Sequence, residues 1–373
     1  MSQHSSIQWT DGTVNPVMGC SAPCELRPSS EKVCKSVLDF FQREFPTIKP
    51  ARIGQLVNEL TADHNGTEIY QLREEIVEGV IKAIENPPRE PKAVKAMVKR
   101  LKDQFDGIFI CYAHQQHFIR GTDITNPDKI TNSGYAPQFE KVTLYPGRVA
   151  IAAAASDLYG KTHEQKPWLD YLPRLIFVSD MADALSEEAS FDYLKKEVVD
   201  VTASRRGSQH LWLWLTKVPK RMAEFGKWLQ NQGCKWPDNL VAMATVTSTK
   251  TIVRVDQLKA VPARFKALSV EPLWEEVTLP LDGIDWCIVG GQSGPASKPF
   301  DLAWAESLLA QCKGSGTALF MKQLGAKPKR NGDDLELKDE HGGDWSEWPS
   351  HLRIRDVPKG FYSLRAEIMH SSA

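Results

Sequence analysis

The feature that most constrains the fold of this chain is a series of short apolar runs that recur with helical patterns between them. An opening strand is predicted within Gln8 to Val17. The later runs cover residues 142–145, 175–178, 211–215, 240–244, 265–268, 286–289 and 318–321. Apolar strands that alternate with helices are typical of a parallel sheet covered by helices. With the opening strand these runs make eight, which predicts an α/β fold, a (β/α)8-like barrel of the TIM type.

One long stretch departs from this alternation. Its apolar residues recur at steps of three and four from Val33 to Phe41, from Ile69 to Ile84 and from Val94 to Phe105, which predicts amphipathic helices. We therefore expect the chain to be divided by this helical stretch. The expected segments are a first barrel strand with a cysteine loop (1–25), an α-helical insertion (26–106), the remainder of the barrel (107–325) and an irregular C-terminal extension (326–373).

Composition narrows the class of protein. The chain has 373 residues, of which 42% are hydrophobic, and a formal net charge of −1, so it lacks the basic footprint of sequence-independent nucleic-acid binding. A local nucleic-acid site stays open, because tryptophan side chains can stack on bases. The candidates for such stacking are Trp212, Trp214, Trp345 and Trp348. Since no apolar run approaches the length of about 20 residues that spans a bilayer, we expect a cytoplasmic protein with no membrane segment.

The cysteines predict a metal site rather than disulfides. Seven cysteines scattered along a chain of cytosolic character do not form a disulfide framework. Cys20 and Cys24 form a C-x3-C pair in a loop with glycine and proline, which favours metal binding. Cys34 falls in register with Val33 and Val37, so we expect it in a helical core. The remaining cysteines of the second half are expected to be structural; they are Cys234, Cys287 and Cys312.

Most of the predicted strands end in polar residues or glycine. In a parallel barrel these ends converge on the carboxyl-terminal rim, where binding sites form. A glycine pair at such an end also lets a phosphate or ribose approach the backbone, although glycine is equally simple turn chemistry. The residues that we expect to line a site at this rim are Ser179, Asp180, Thr216, Lys217, Glu271, Gly290, Gly291 and Gln292.

Several motifs, in a fixed order, carry a family resemblance. They are Ile7–Asp11, Asn15–Cys20, Cys111–Ala113, Phe177–Met181, Leu215–Lys217, Leu268–Leu273, Asp285–Pro295 and Phe320–Gln323. In these motifs, which extend over nearly the whole chain, the sequence resembles the phage Gp37/Gp68 family, a domain of unknown function found in phages and bacteria. It departs from common members in the helical insertion, which lengthens the cysteine loop, and at Gln292, where the family typically has Glu.

The resemblance implies a radical S-adenosylmethionine enzyme with a radical-SAM-like barrel. The Cys-Tyr-Ala triplet of the family corresponds to residues 111–113, so the implied ligands of a [4Fe–4S] cluster are Cys20, Cys24 and Cys111. One-electron reduction of S-adenosylmethionine would then give a 5′-deoxyadenosyl radical that abstracts hydrogen from a substrate. The rim residues are implied to contact the adenosyl ligand or the substrate. Implied partners are an electron donor and a three-Cys-motif partner protein.

Two other interpretations of the cysteines remain open. In one, His114 or His117 joins the three cysteines in a structural zinc site, and the barrel is a non-catalytic interaction module. Histidines at such positions are more commonly exposed polar residues. In the other, the cysteines bind no metal and the barrel is degenerate.

Overall fold

A computed structural model describes most of the chain. The described residues are 6–21, 25–26, 30–44, 50–62, 69, 72–82, 90–106, 111–121, 134–136, 139, 141–163, 165–294 and 297–371. The chain forms two compact units, one made of residues 1–18 and 144–373 and the other of residues 19–143. These limits differ from the expected boundaries, because residues 107–143 group with the helical stretch rather than with the sheet.

The first unit is built on a curved parallel sheet. The strands of the chain are β1 (Gly12–Val14), β2 (Val17–Met18), β3 (Thr143–Leu144), β4 (Leu175–Val178), β5 (Leu211–Thr216), β6 (Leu240–Thr245), β7 (Lys266–Val270), β8 (Trp286–Gly290), β9 (Phe300–Asp301), β10 (Ala318–Gln323), β11 (Pro328–Arg330) and β12 (Asp333–Asp334). Seven of them form the main sheet in the order β1-β4-β5-β6-β7-β8-β10, with all neighbours parallel. A second sheet has the order β12-β11-β9. The predicted α/β class is therefore confirmed.

The described helices are divided between the two units. The second unit contains α1 (Ser30–Glu44), α2 (Pro50–Thr61), α3 (Arg73–Lys82), α4 (Pro91–Asp106) and α5 (Tyr112–Gly121). The first unit contains α6 (Arg148–Ala153), α7 (Phe191–Leu194), α8 (Asp200–Ala203), α9 (Pro219–Asn231), α10 (Val253–Lys259), α11 (Leu302–Ser315) and α12 (Lys359–Ser371). Within the described ranges, no helix is both long enough and apolar enough to cross a membrane.

One predicted strand lies outside the main sheet. The six other runs after the opening strand coincide with β4, β5, β6, β7, β8 and β10, so these predictions are confirmed. Residues 142–145 were expected to supply an eighth strand, but only Thr143–Leu144 is extended there, and both residues are half-buried. A central parallel strand is covered on both faces and is therefore fully buried, as Leu175–Val178 is. This run is too polar and too short to take such a position.

The inner face of the main sheet is filled by aromatic and aliphatic side chains. Alternate residues of the strands form one buried cluster, which includes Phe177, Leu213, Met243 and Ile288. The C-terminal helix α12 adds Phe361, whose ring lies 5.1 Å from that of Phe265 and 5.7 Å from that of Trp286. The opposite face carries the intervening residues and packs against other helices, as Trp214 does against Phe225 of α9.

The segment from 326 to 373, expected to be an irregular extension, is integrated into this unit. Its residues 354–356 run along the edge of β10: the Met321 amide donates to the Ile354 carbonyl (2.8 Å), and the Asp356 amide donates to the Leu319 carbonyl (2.9 Å). Trp348 and Leu352 are buried. The segment therefore covers a sheet edge that would otherwise expose unpaired backbone groups.

The second unit has its own helical core. Helix α1 contacts α2 and α4, α2 contacts α3, and α3 contacts α4. The predicted apolar positions of these helices, among them Val33, Val37, Met97 and Phe105, form one buried cluster. Cys34 packs against that cluster, and burial raises the pKa of its thiol, which confirms the predicted core position.

A buried lysine fastens the N-terminal residues at the amino end of the sheet. The Lys166 ammonium donates to the Ile7 carbonyl (2.7 Å) and to the Thr10 carbonyl. Nearby, Asp11 accepts from the Leu175 amide (2.8 Å) and lies 2.9 Å from His163 Nδ1. Burial lowers the pKa of Lys166 to about 8, although the Asp11 carboxylate opposes this shift.

We predict that Phe361→Ala lowers the free energy of unfolding by about 3–5 kcal/mol, because it leaves a cavity between Phe265 and Trp286. Urea unfolding followed by circular dichroism measures the change. The neighbouring Tyr362→Ala serves as control, since Tyr362 is exposed on the same helix and should change stability by about 0.5 kcal/mol or less. A loss below about 1 kcal/mol for Phe361→Ala would mean that α12 does not fill the inner face.

We also predict that the stability of the protein rises with pH above about 8 through Lys166. The folded chain releases the Lys166 proton near pH 8, whereas the unfolded chain keeps it up to the ordinary value of 10.5. Since the unfolded state binds more protons in this window, stability increases with pH there. Urea unfolding at several pH values between these limits should show a steeper rise for wild type than for Lys166→Met; identical slopes would contradict the assignment.

Candidate functional site

The carboxyl ends of the main-sheet strands lie along one edge. Ligand sites of parallel α/β folds form at this edge. On the inner face, the alternation that buries Met243 and Ala267 continues to Thr245 and Ser269, which are register partners and are both buried. The Thr245 hydroxyl has no hydrogen-bond partner among the described residues. Leaving such a buried group unpaired costs about 1–3 kcal/mol, so a bound ligand or water would satisfy it.

Ser179 and Asp180 form a tight turn where β4 ends. Ser179 has a left-handed backbone (φ 74°), its amide donates to the Val14 carbonyl (2.9 Å), and its buried hydroxyl finds no partner in the described part of the chain. Asp180 accepts a hydrogen bond from Asn15 Nδ2 (2.5 Å). Burial raises the pKa of Asp180, while the hydrogen bonds from Asn15 and Thr13 oppose the rise. Both predicted residues therefore lie at the carboxyl edge.

Asn15 was not among the predicted site residues, although it clamps this turn. Its side-chain oxygen accepts from the Met181 amide (2.9 Å) while its nitrogen donates to Asp180. Its carbonyl accepts from Arg148 (3.3 Å), and the next carbonyl, of Pro16, accepts from the Tyr193 hydroxyl (2.7 Å) and the Tyr145 amide (2.8 Å). The chain that leads from β1 toward the first cysteine is thus held in place. The only sequence signal was its position just after the opening strand.

Thr216 and Lys217 belong to a structural network around Asp183. The Thr216 hydroxyl donates to Asp183 (2.9 Å), as does the Lys217 amide (2.9 Å). Burial raises the pKa of Asp183 in spite of these bonds. Thr216 lies on the same face of β5 as Trp212 and Trp214, opposite the inner face, and its predicted contact with a ligand stays a prediction. Lys217 follows it and is half-buried.

Glu271 pairs with Lys322 across β8. The Lys322 ammonium donates to the Glu271 carboxylate, and the side chains retain only 14% (Glu271) and 20% (Lys322) of their exposure. Between them in the sheet lies Gly290, where an added Cβ would be 3.3 Å from Glu271 Cγ and 3.4 Å from Gln323 Cγ. Glycine at this position therefore leaves room for the side chains of its neighbours. Its predicted contact with a ligand stays a prediction.

Gly291 and Gln292 are engaged by the protein itself. A Cβ on Gly291 would lie 2.2 Å from the Leu324 carbonyl oxygen, so close backbone packing explains this glycine. Gln292 Oε1 accepts from the Trp274 indole nitrogen (3.0 Å). The Lys298 ammonium lies 4.0 Å from the centre of the Trp274 ring. Of this pair, only Gln292 places a side chain that a ligand would contact.

In the second unit, Phe139 contacts Cys20 and the helix that begins directly after Cys111. The Cys20 amide donates to the Phe139 carbonyl (2.7 Å). The Phe139 ring lies 4.9 Å from that of His114, in the helix that begins directly after Cys111. Cys20 and Cys111 are half-buried thiols, not disulfide partners. Cys24, the third proposed ligand, lies outside the described residues.

The two histidines after Cys111 are buried rather than exposed. His114 keeps 2% and His117 0% of its exposure, and both rings pack against Phe139. Among the described residues, no three His, Cys, Asp or Glu side chains lie close enough together to hold a metal ion. The zinc alternative also includes Cys24, which lies outside the described residues, so it stays a prediction.

The other candidate residues have structural positions. Cys287 and Cys312 are buried against each other between β8 and α11, and Cys234 is half-buried in a loop. Trp212, Trp214 and Trp348 are also buried, so none of these three is available to stack on a base. Trp345 is half-buried, and its ring centre lies 4.5 Å from the Arg355 guanidinium. The buried three therefore have the packing role that tryptophan in a strand or tail more commonly has.

We predict that Gly291→Ala destabilises the protein by about 1–3 kcal/mol, because the new methyl group would collide with the Leu324 carbonyl. Thermal unfolding measures the change. Gly314→Ala is the matched control: nothing lies within 4 Å of an added Cβ there, and alanine should stabilise the helix by up to about 1 kcal/mol. An unchanged melting temperature for Gly291→Ala would show that this glycine is not required for packing.

Comparison with known proteins places the chain in a family. No curated protein and no solved structure matches it. Residues 106–349 match the model of a family described as a protein of unknown function, DUF5131. This match covers more than half of the chain and includes Cys111 and the strands from β4 to β10. The chain therefore belongs to the DUF5131 family.

Proposed function

We propose that this protein is a radical S-adenosylmethionine enzyme in which Cys20, Cys24 and Cys111 hold a [4Fe–4S] cluster. The observation that carries the proposal is the position of Phe139. Its carbonyl binds the Cys20 amide, and its ring contacts the helix that starts after Cys111. Cys20 and the helix that follows Cys111, which are distant in sequence, thus share one neighbour within the second unit. Thiolates are the ligands that iron–sulfur clusters require.

When bound, the cluster and S-adenosylmethionine would supply one-electron cleavage of the sulfonium and removal of a hydrogen atom from a substrate. The residues of the chain itself would bind and orient the cofactor and the substrate. Among the described residues, the hydroxyls of Ser179 and Thr245 have no hydrogen-bond partner. They would donate hydrogen bonds to the adenosyl ligand or the substrate, or accept hydrogen bonds from it. Asp180, Lys217, Glu271 and Gln292 add charged and amide groups along the same edge. Thr216, Gly290 and Gly291 would act only through the packing described above.

The finer assignments belong to the same proposal. We infer that the curved sheet is the partial barrel of a (β/α)8-like, radical-SAM-like fold, and that the protein is a member of the phage Gp37/Gp68 family. An electron donor would be required, and a three-Cys-motif partner protein is the proposed associate. The cytoplasm is the proposed location, because a reducing compartment keeps the cysteine thiols available as ligands.

We predict that anaerobically reconstituted protein carries about four iron and four sulfide per chain. Single Cys20→Ser, Cys24→Ser and Cys111→Ser variants should each lose most of both, because each removes one of the three thiolate ligands. Cys234→Ser is the matched control, since this thiol lies in a loop of the first unit and should leave iron and sulfide unchanged. Colorimetric iron and sulfide assays provide the measurement.

Two outcomes would contradict the proposal. About one zinc per chain and no iron would favour a metal-binding interaction module. Metal content that is unchanged in the triple cysteine variant would show that these cysteines bind nothing. As a second readout, reduced and loaded wild type should release 5′-deoxyadenosine from S-adenosylmethionine, and Cys111→Ser should not.

A further inference from the structure

The Glu271–Lys322 ion pair is half-buried at the carboxyl edge. Within the described part of the chain, the bond between them is the one hydrogen bond that either side chain makes. With 14% and 20% of their side-chain exposure retained, both groups still reach solvent. One carboxylate oxygen of Glu271 and two ammonium hydrogens of Lys322 are therefore available to a ligand at this edge.

Two local features build this pair at the carboxyl edge. The register between β8 and β10 shifts between Met321 and Gln323, so that Gln323 lies opposite Gly290 and Lys322 is the extra residue of a bulge. Bulges redirect side chains and are frequent beside active sites. Gly290 then lets Glu271 extend over β8 without a side chain in the way.

We propose that Glu271 and Lys322 bind the α-amino-acid head group of a ligand. The ligand ammonium would donate to the second oxygen of Glu271, and the ligand carboxylate would accept from the Lys322 ammonium. The pair is neutral as a whole and presents an acceptor beside a donor, and a zwitterion offers the complementary arrangement. A simple anion would be repelled by Glu271, and a simple cation would be repelled by Lys322.

This inference rests on the proposed function and extends it, because the head group would belong to a ligand that binds at the same carboxyl edge. It names a substrate class: a free α-amino acid or a compound that keeps the amino and carboxylate groups. The same head group also occurs in S-adenosylmethionine. Binding to the pair needs neither cluster nor electron donor, so this proposal and the radical mechanism can fail separately.

The test is calorimetric titration of metal-free protein with each proteinogenic L-amino acid and with S-adenosylhomocysteine. We expect at least one of them to bind. Its N-acetyl and carboxamide derivatives should each bind about tenfold more weakly or worse, as should the parent ligand to Glu271→Gln and to Lys322→Met. Glu275→Gln is the control, because this carboxylate follows the same strand but accepts from Thr249, and its binding should equal wild type.

Glu271→Gln keeps a hydrogen bond to Lys322, so its melting temperature should equal that of wild type. An unchanged melting temperature shows that the weaker binding does not come from a loss of folding. If a free amino acid binds in the presence of saturating S-adenosylhomocysteine, the head group is that of a second substrate. If only S-adenosylhomocysteine binds, and both variants weaken it, the head group is the cofactor's. No binding by any probe up to about 20 mM would overturn the proposal. So would tighter binding of inorganic phosphate than of any amino-acid probe to the wild-type protein, which would identify an anion site.

Discussion

The parallel hydrogen-bonded register of the main sheet is the constraint on which the rest of the first unit depends. Because its strands all run in one direction, their carboxyl ends meet at a single edge, and alternate residues of every strand lie on one face. Along that face, Phe177, Met243 and Ile288 form the buried cluster, while Thr245 and Ser269 continue it toward the polar edge. The sheet thus separates a core that stabilises the fold from an edge that can bind a ligand.

Strands could be predicted from the sequence where local composition decides the structure. Leu175–Val178 is apolar at every position, as a strand covered on both faces must be. The C-terminal segment could not be predicted in this way, because its partners are distant in sequence. Arg355 lies over Trp168, with its guanidinium 3.9 Å from the ring centre, and burial lowers its pKa to about 10. No pattern near residue 355 indicates that an arginine will be enclosed by aromatic rings.

The site was predictable only in part, because a polar residue at a strand end does not reveal its partner. Glu271 and Thr216 are both polar residues at a strand end. Glu271 nevertheless forms a half-buried ion pair at the edge, whereas Thr216 binds Asp183 on the opposite face. Gly290 and Gly291 show the same ambiguity: one clears space for side chains and the other for a carbonyl. The role of a polar residue or glycine at a strand end depends on the residues of the neighbouring strand, which are distant in sequence.

The helical insertion does not by itself keep the distant cysteines apart. Helices α1 to α4 contact one another in a closed ring, with α1 beside both α2 and α4. Since the bundle buries its own core, its ordering is stabilised internally, and the cost of closing the loop rises only with the logarithm of its length. A folded insertion of this kind is therefore compatible with ligands that precede and follow it.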